Sequence, residues 1–331
     1  MNPSCGSIGV LPAALVGKTA WPWISKSLPL QPFMPNGNEW PKISIVTPSF
    51  NQGQFLEEAI RSILLQNYPN LEYIIIDGGS SDESVGIIKK YEPWISYWVS
   101  EKDNGQAHAI NKGLERCTGD IFNWINSDDY LMEGALKIIA EKISDFDVLA
   151  GSVINFTDAN KNLVHSANLS VKKMMRGDTS VIYQQPGTWL YLDKLRHVGC
   201  LNESLHFCFD WLLVINYLNR FPNVKYTTEA LANFRLHNQS KTIGNGLDFR
   251  MERLQISLNL MYRKDLFEKY FYESIVCIHK YLWIEEVDRI RSIPRSATTR
   301  VKYIIFALFR NLFTYPYRYA FGVIRKLIFN S

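Results

Sequence analysis

Between Lys42 and Ile125, four apolar or β-branched runs alternate with three stretches whose apolar residues recur at helical spacing. The runs are Ile43 to Thr47, Leu71 to Ile76, Tyr97 to Ser100 and Ile121 to Ile125. The intervening stretches are Phe55 to Gln66, where Phe55, Ala59, Ile60, Ile63 and Leu64 share a face, then Glu83 to Tyr91 and Gln106 to Arg116. Short, continuously apolar strands suit a sheet buried on both faces. Alternation of strand and helix at this rhythm predicts an α/β fold, with a mostly parallel sheet flanked by helices.

In such a sheet, ligands gather beyond the carboxyl ends of the strands. Three of those ends carry aspartate: Asp77, Asp103 and the pair Asp128 and Asp129. A single aspartate in a turn is commonly a cap, and Asp82 is read as one. Adjacent carboxylates at the mouth of an apolar strand raise each other's pKa unless a cation relieves them. Oxygen ligands of this kind suit Mg2+ or Mn2+ shared with a substrate diphosphate.

Four segments together carry a resemblance. Ile43 to Asn51, the loop Ile76-Asp77-Gly78-Gly79-Ser80-Ser81-Asp82, the turn Ser100 to Gly105 and Ile125-Asn126-Ser127-Asp128-Asp129 resemble, in order and spacing, the successive signatures of family-2 glycosyltransferases. The likeness is closest over residues 42–135 and continues more loosely to about Thr242. It implies a GT-A fold, Rossmann-like in its nucleotide half, and an inverting transferase that uses a nucleotide diphosphate sugar. By that likeness Asp77 would hold the base or ribose, and Thr47, Pro48 and Phe50 would wall the nucleotide pocket. Asp103, Asn111 and Asp128 would border the donor. Asp129, the last residue of the Asp-x-Asp equivalent, would ligate the metal. Here serine, Ser127, takes the motif's first place.

The second half must supply a base for the acceptor hydroxyl. Asp210, in His206-Phe207-Cys208-Phe209-Asp210-Trp211, is a lone carboxylate entering an apolar helix, where apolar surroundings would raise its pKa. Read alone, it equally fits an acid at a helix start. The segments Gln185 to Trp189 and Gly199 to Leu205 resemble the acceptor-side strand and loop that precede the family's catalytic aspartate, which assigns Asp210 the base. Phe209 stands where the family often has an acid, so that acceptor contact is in doubt. Phe234 to Thr242 places Arg235, His237 and Lys241 in one loop. It resembles the family's loop over the donor diphosphate, with Arg235 and Lys241 as phosphate donors and His237 as a further metal ligand. Trp189 and Trp211 are read as core residues, and His108 as a surface or capping residue.

Composition narrows the alternatives. A net charge of +4 over 331 residues gives no case for a nucleic-acid partner. No GxGxxG or GxxxxGK[ST] motif is present, which removes the main support for dinucleotide oxidoreductases and P-loop kinases. Pro48 to Gln54 lacks the basic residues expected of a sugar nucleotidyltransferase; the remaining alternative is a catalytically silent carbohydrate-binding or scaffold protein on the same fold. Five scattered cysteines and no signal-peptide pattern predict reduced thiols and a cytoplasmic location.

Residues 1–40, rich in proline, read as an irregular leader, 41–245 as the GT-A domain divided near 135, and 246–331 as a helical appendage. From Thr298 onward there are six bases and no acids, so the tail carries +6 and the rest of the chain −2. Arg310, Pro316 and Arg318 divide its apolar residues below the ~20 that a spanning helix needs. The pattern predicts short helices lying on an anionic membrane surface, a peripheral location on its cytoplasmic face. The expected donor is a UDP-sugar, and the expected acceptor a saccharide or lipid-linked glycan in polysaccharide assembly.

Overall fold

A computed structural model describes residues 11–15, 17–25, 27–238, 240–241, 246–260 and 263–292. The basic tail and Cys5 lie outside the described residues, and with them the expectation of a membrane-binding tail. The chain divides into two units, one running to Val171 and resuming at Ser180–Gly246, the other comprising Lys172–Thr179 and the chain from Leu247.

The first unit is built on strands β1 (Ile43–Ser49), β2 (Leu71–Asp77), β3 (Tyr97–Ser100), β4 (Ile121–Trp124), β5 (Tyr130–Leu131), β6 (Val148–Phe156), β7 (Lys161–Val164), β8 (Thr188–Tyr191) and β9 (Val224–Arg235). Helices α1 (Gly53–Leu64), α2 (Ser84–Tyr91), α3 (Gln106–Arg116), α4 (Ala135–Ile143), α6 (Leu192–Val198) and α7 (Phe209–Arg220) connect them, and α5 (Val171–Met175) begins where this unit is interrupted. The sheet order is β3-β2-β1-β4-β8-β6-β9-β5, with β7 beside β6. The pairs β3/β2, β2/β1, β1/β4 and β6/β9 are parallel, whereas β8, β7 and β5 run against their neighbours. The sheet is therefore mostly parallel, as the strand–helix rhythm predicts. The reversal comes at β8, beyond the segment from which that rhythm is read.

Every residue of β1 is buried, and so is β2 after Leu71, which explains why these strands are apolar without alternation. Helix α3 lies close against β1 at Gly113, where a β-carbon would stand 2.5 Å from Val46 Cγ1. At the amino ends of the strands, Glu72 accepts from Ser44 Oγ (2.6 Å), Thr118 N (2.6 Å) and Lys42 Nζ (2.8 Å). Burial pushes its pKa up, yet the bonds from Lys42, Ser44 and Thr118 outweigh it and hold the carboxyl below its usual range. That polar knot ties β1, β2 and the entry to β4 together at the end of the sheet away from the strand-end loops.

Residues 17–25 and 27–40 run as turns and irregular chain, and they pack on the domain. Leu11, Met34 and Trp40 join its core. Trp21 Nε1 donates to Leu131 O (2.8 Å) and Trp23 Nε1 to Glu58 Oε1 (3.2 Å). Arg61 of α1, 4% exposed, fastens the segment: its guanidinium donates to Pro12 O (2.8 Å), Pro22 O (3.1 Å), Trp23 O (3.0 Å) and Tyr91 Oη (3.0 Å).

The second unit contains α8 (Gly246–Leu260) and α9 (Lys264–Ser292), the latter kinked at Tyr270. Ile256, Leu260, Leu266, Val276 and Cys277 are buried there, Ser257 Oγ donates to Arg253 O, and Lys172 pairs with Glu273 at 3.8 Å. No described helix is long and apolar enough to cross a membrane.

Removing the Arg61 side chain leaves three buried carbonyls without their donor. Arg61→Ala is expected to lower unfolding stability by about 3 kcal/mol and to expose the leader to protease before the domain. Urea unfolding and limited proteolysis measure both; a loss under about 1 kcal/mol with unchanged cleavage contradicts this assignment.

Candidate active site

The loops after β1, β2, β3 and β4 meet at the carboxyl ends of the parallel strands. Gly78 N donates to Ser49 O (2.8 Å) and Asn51 N to Ser80 Oγ (2.8 Å), which joins the first two loops. Asn51 holds a left-handed φ of 51°, a conformation that asparagine tolerates. Asp82 Oδ2 accepts from Gly53 N (2.9 Å) at the start of α1 and Oδ1 from Ser84 N (3.0 Å), the capping role expected of it.

Asp77 is fully buried, and its oxygens are engaged by its own surroundings. Oδ2 accepts from Ser100 Oγ (2.6 Å), Ser80 N (2.9 Å) and Gly79 N (3.2 Å), and Oδ1 accepts from Ser80 Oγ (2.6 Å). At 0% exposure, its carboxylate is spent on shaping the loop. Thr47 also differs from expectation: it is 0% exposed and its hydroxyl accepts from Tyr73 Oη (3.0 Å), so it belongs to the core rather than to a pocket wall. Pro48 is buried as well. Phe50, by contrast, is 60% exposed.

Asp103 lies over the second loop, where a β-carbon on Gly78 would stand 2.7 Å from Asp103 Oδ2 and 3.3 Å from Phe50 Cδ2. Glycine at 78 thus lets Phe50 and Asp103 converge. Beside them, Ser49 Oγ and Gln52 Oε1 are buried without a hydrogen-bond partner among the described residues. Buried polar atoms of this kind call for a ligand or water.

The loop between β4 and β5 presents the two carboxylates. Asp129 is 1% exposed; its Oδ1 accepts from Arg235 N (3.0 Å) and its Oδ2 from Asn126 Nδ2 (3.1 Å). Burial first, and the adjacent Asp128 second, push its pKa well above the usual carboxylate range, while the bonds from Arg235 and Asn126 act against them. The charge of Arg235 also acts against them but as the least of the causes, so burial and Asp128 prevail, which is the condition a cation relieves.

Asp128 Oδ2 lies 3.0 Å from His237 Nε2, and the His237 ring packs 4.9 Å from that of Phe55. Among the described residues no three or more His, Cys, Asp or Glu side chains are grouped so as to hold a metal ion by themselves. Asp129 and Asp128 nevertheless bring two carboxylates together at one strand end, hard-oxygen donors of the kind that suit Mg2+ or Mn2+ when the substrate supplies further ligands.

Arg235, the last residue of β9, is tied to this loop. Its Nε donates to Asp128 O (3.0 Å), its guanidinium pairs with Glu58 of α1, and the rings of Phe156 (4.6 Å), Phe55 (4.8 Å) and Tyr130 (5.9 Å) surround it. Lys241 Nζ reaches Gln106 Oε1 (3.0 Å) and His206 O (3.1 Å), while Gln106 Nε2 donates to Asn126 Oδ1 (2.7 Å). The start of α3, the Asp128–Asp129 loop and the segment before α7 are thereby linked.

Asn111 turns away from the donor side. It is 7% exposed and clasps Leu201 at both N and O, while its Nδ2 also donates to Glu203 Oε1 (2.7 Å). Its side chain secures the loop before α7, a pairing 90 residues away in sequence that helical periodicity could not foresee. His108 Nδ1 accepts from Asn104 N (3.1 Å), a local capping contact.

Asp210 occupies the first turn of α7 and accepts from Trp211 N (2.6 Å) through Oδ1. Tyr183 lies beside it: burial first, and the charge of Asp210 second, push the Tyr183 hydroxyl pKa well up. Trp211, 9% exposed, meets Tyr183 edge to face at 6.3 Å, and Trp189 is fully buried. Both tryptophans are core residues, as read from sequence. Glu58, Ser49 and Gln52 were not legible as site residues, because nothing in α1's periodicity or the first loop's composition marks what the later strands bring against them.

Residues 44–216 match the family model described as glycosyl transferase family 2. An uncharacterized glycosyltransferase of Rickettsia typhi is 26% identical over 212 residues, covering 61% of this chain and 66% of that protein. The Campylobacter jejuni GalNAc(5)-diNAcBac-PP-undecaprenol beta-1,3-glucosyltransferase is 32% identical over 109 residues, 32% of this chain and 35% of its own length. The chain thus spans just under two thirds of the first relative and about a third of the second. S. aureus TarS 1-349 in complex with UDP-GlcNAc superposes with a TM-score of 0.57 at 15% identity, covering 73% of this chain and 71% of that one. The mannosyltransferase PcManGT from Pyrobaculum calidifontis, in complex with GDP-Man and Mn2+, gives 0.55 at 12% identity over 88% of both chains. The sheet and its flanking helices are those of the GT-A fold, and the chain belongs to glycosyl transferase family 2.

Proposed function

We propose that this glycosyltransferase moves a sugar, with inversion, from a nucleotide diphosphate donor, a UDP-sugar, to a hydroxyl of a saccharide or lipid-linked acceptor. The observation that carries the reading is Asp129, a buried carboxylate beside Asp128 in an open donor set at the end of a parallel strand. Asp129 and His237 would hold a divalent ion, Mn2+ or Mg2+, with Asp128 alongside. When bound, that ion supplies Lewis-acid relief of the charge growing on the leaving diphosphate. Phe50 offers an exposed ring to the nucleotide next to Asp103, and Asp77 acts by keeping the loop beneath them in shape. Arg235 holds the Asp129 loop, and Lys241 brings a positive charge to the crevice edge.

Asp210 would take the acceptor proton. Its place at the start of α7, with an aromatic flank of Tyr183 and Trp211, allows a hydroxyl to approach from the acceptor half. The complexes of TarS with UDP-GlcNAc and of PcManGT with GDP-Man and Mn2+ support a nucleotide-sugar donor and a divalent ion. The name of the Campylobacter relative, a glucosyltransferase of an undecaprenol-linked saccharide, supports a lipid-linked acceptor.

Asp129→Asn keeps an acceptor for the Arg235 N–H but withdraws the anionic ligand. It is expected to weaken Mn2+-dependent donor binding by about 10- to 100-fold. Wild-type turnover in excess EDTA, or an unaltered variant, contradicts the metal assignment. Asp210→Asn still accepts a hydrogen bond from Trp211 N but cannot take a proton. NDP release to acceptor is expected to fall by about 10²-fold or more with donor affinity retained. Full turnover in that variant removes Asp210 as base, and lost donor binding moves it to the nucleotide side.

A further inference from the structure

The Asp128–Asp129 loop is braced from behind by residues that the proposed reaction does not use. Glu58 on α1 links two of them: its Oε1 accepts from Trp23 Nε1 in the leader (3.2 Å), and its other oxygen pairs with the Arg235 guanidinium. Both charged side chains are largely enclosed, Arg235 at 15% and Glu58 at 18% exposure. Arg235 then delivers its backbone N–H to Asp129 Oδ1 and its Nε–H to Asp128 O. The leader also holds β5 and the turn after it, where Trp21 Nε1 donates to Leu131 O (2.8 Å) and Ser27 Oγ accepts from Gly134 N (3.1 Å). Helix α1 holds the same stretch: Ser62 Oγ accepts from Leu131 N (3.0 Å) and Gln66 Nε2 donates to Met132 O (2.8 Å).

We infer that Glu58, held by Trp23, is a positioning residue for cation binding at Asp128 and Asp129, and that the leader is thereby part of the active-site machinery. The inference rests on the metal reading given above. Its physical basis is charge partition. With Glu58 in place, the Arg235 guanidinium is paired with a carboxylate on α1, and its main-chain N–H holds Asp129. Without the Glu58 charge, a largely enclosed guanidinium must find another anion, and Asp128 and Asp129 stand closest along the chain of bonds. It then competes with the divalent ion as a resident monovalent cation. Trp23 bonds Glu58 through its single N–H, and its ring separately lies under Arg61 at 5.3 Å, so Trp23→Phe removes the hydrogen bond while keeping a smaller aromatic ring there.

The test is Mn2+ binding to the full chain, followed by loss of the free-ion EPR signal, with urea unfolding measured on the same samples. Glu58→Gln is expected to weaken Mn2+ binding by about tenfold, and turnover to recover when Mn2+ is raised. Trp23→Phe is expected to shift the affinity in the same direction by a smaller factor. Folded variants that both bind Mn2+ as wild type does overturn the inference while leaving the metal reading intact. A wild-type chain that takes up no Mn2+ overturns both. If Glu58→Gln does not fold, Trp23→Phe decides: weakened Mn2+ binding supports the coupling, and wild-type binding refutes it.

Discussion

Two like charges on neighbouring residues, one of them almost wholly buried, are the constraint around which this structure is organised. An isolated ionised carboxylate is costly to bury, and the cost is met by a partner, a proton or a metal. Around Asp129 the protein provides two neutral donors and keeps its nearest arginine occupied with Glu58. The loop therefore retains an appetite for positive charge that its own side chains do not satisfy. On the proposed function, that positive charge would be the divalent ion of a nucleotide diphosphate donor.

That charge is held in position by packing over long sequence distances. Arg235 lies 106 residues from Asp129, yet the parallel pairing of β6 and β9 and the short β5/β9 ladder bring its backbone to the carboxylate. Three aromatic rings pack around the guanidinium. At the other end of the crevice, Asn111 secures the segment that leads into α7 and so sets where Asp210 emerges. The residues proposed for donor and acceptor are in this way carried on packed elements, which is what holding two reactants in a near-attack arrangement would require.

The nucleotide half was legible because its signals are local. Buried parallel strands declare themselves as unbroken apolar runs, and the loops at their ends keep polar residues at fixed offsets. β1 to β4 and α1 to α3 fall within a few residues of where periodicity places them. What sequence could not show is which side chains are spent on the protein itself. Asp77, Thr47 and Asn111 carry functional chemistry, yet each finds its partners inside the fold: four hydrogen bonds for Asp77, the Tyr73 hydroxyl for Thr47, the Leu201 backbone for Asn111. Such pairings cross between elements and leave no periodic trace. The antiparallel insertion of β8 escaped for the same reason, since only its partners in β4 and β6 define its direction.

The central claim is that Asp129 makes donor binding depend on a divalent ion. The most direct measurement is thermal unfolding of the full chain with UDP, with Mn2+ and with both, because a ligand bound only to the native state raises the melting temperature. The account predicts a shift with UDP and Mn2+ together that well exceeds the sum of the separate shifts and collapses on adding EDTA. An equal shift with UDP in the presence of EDTA would contradict it.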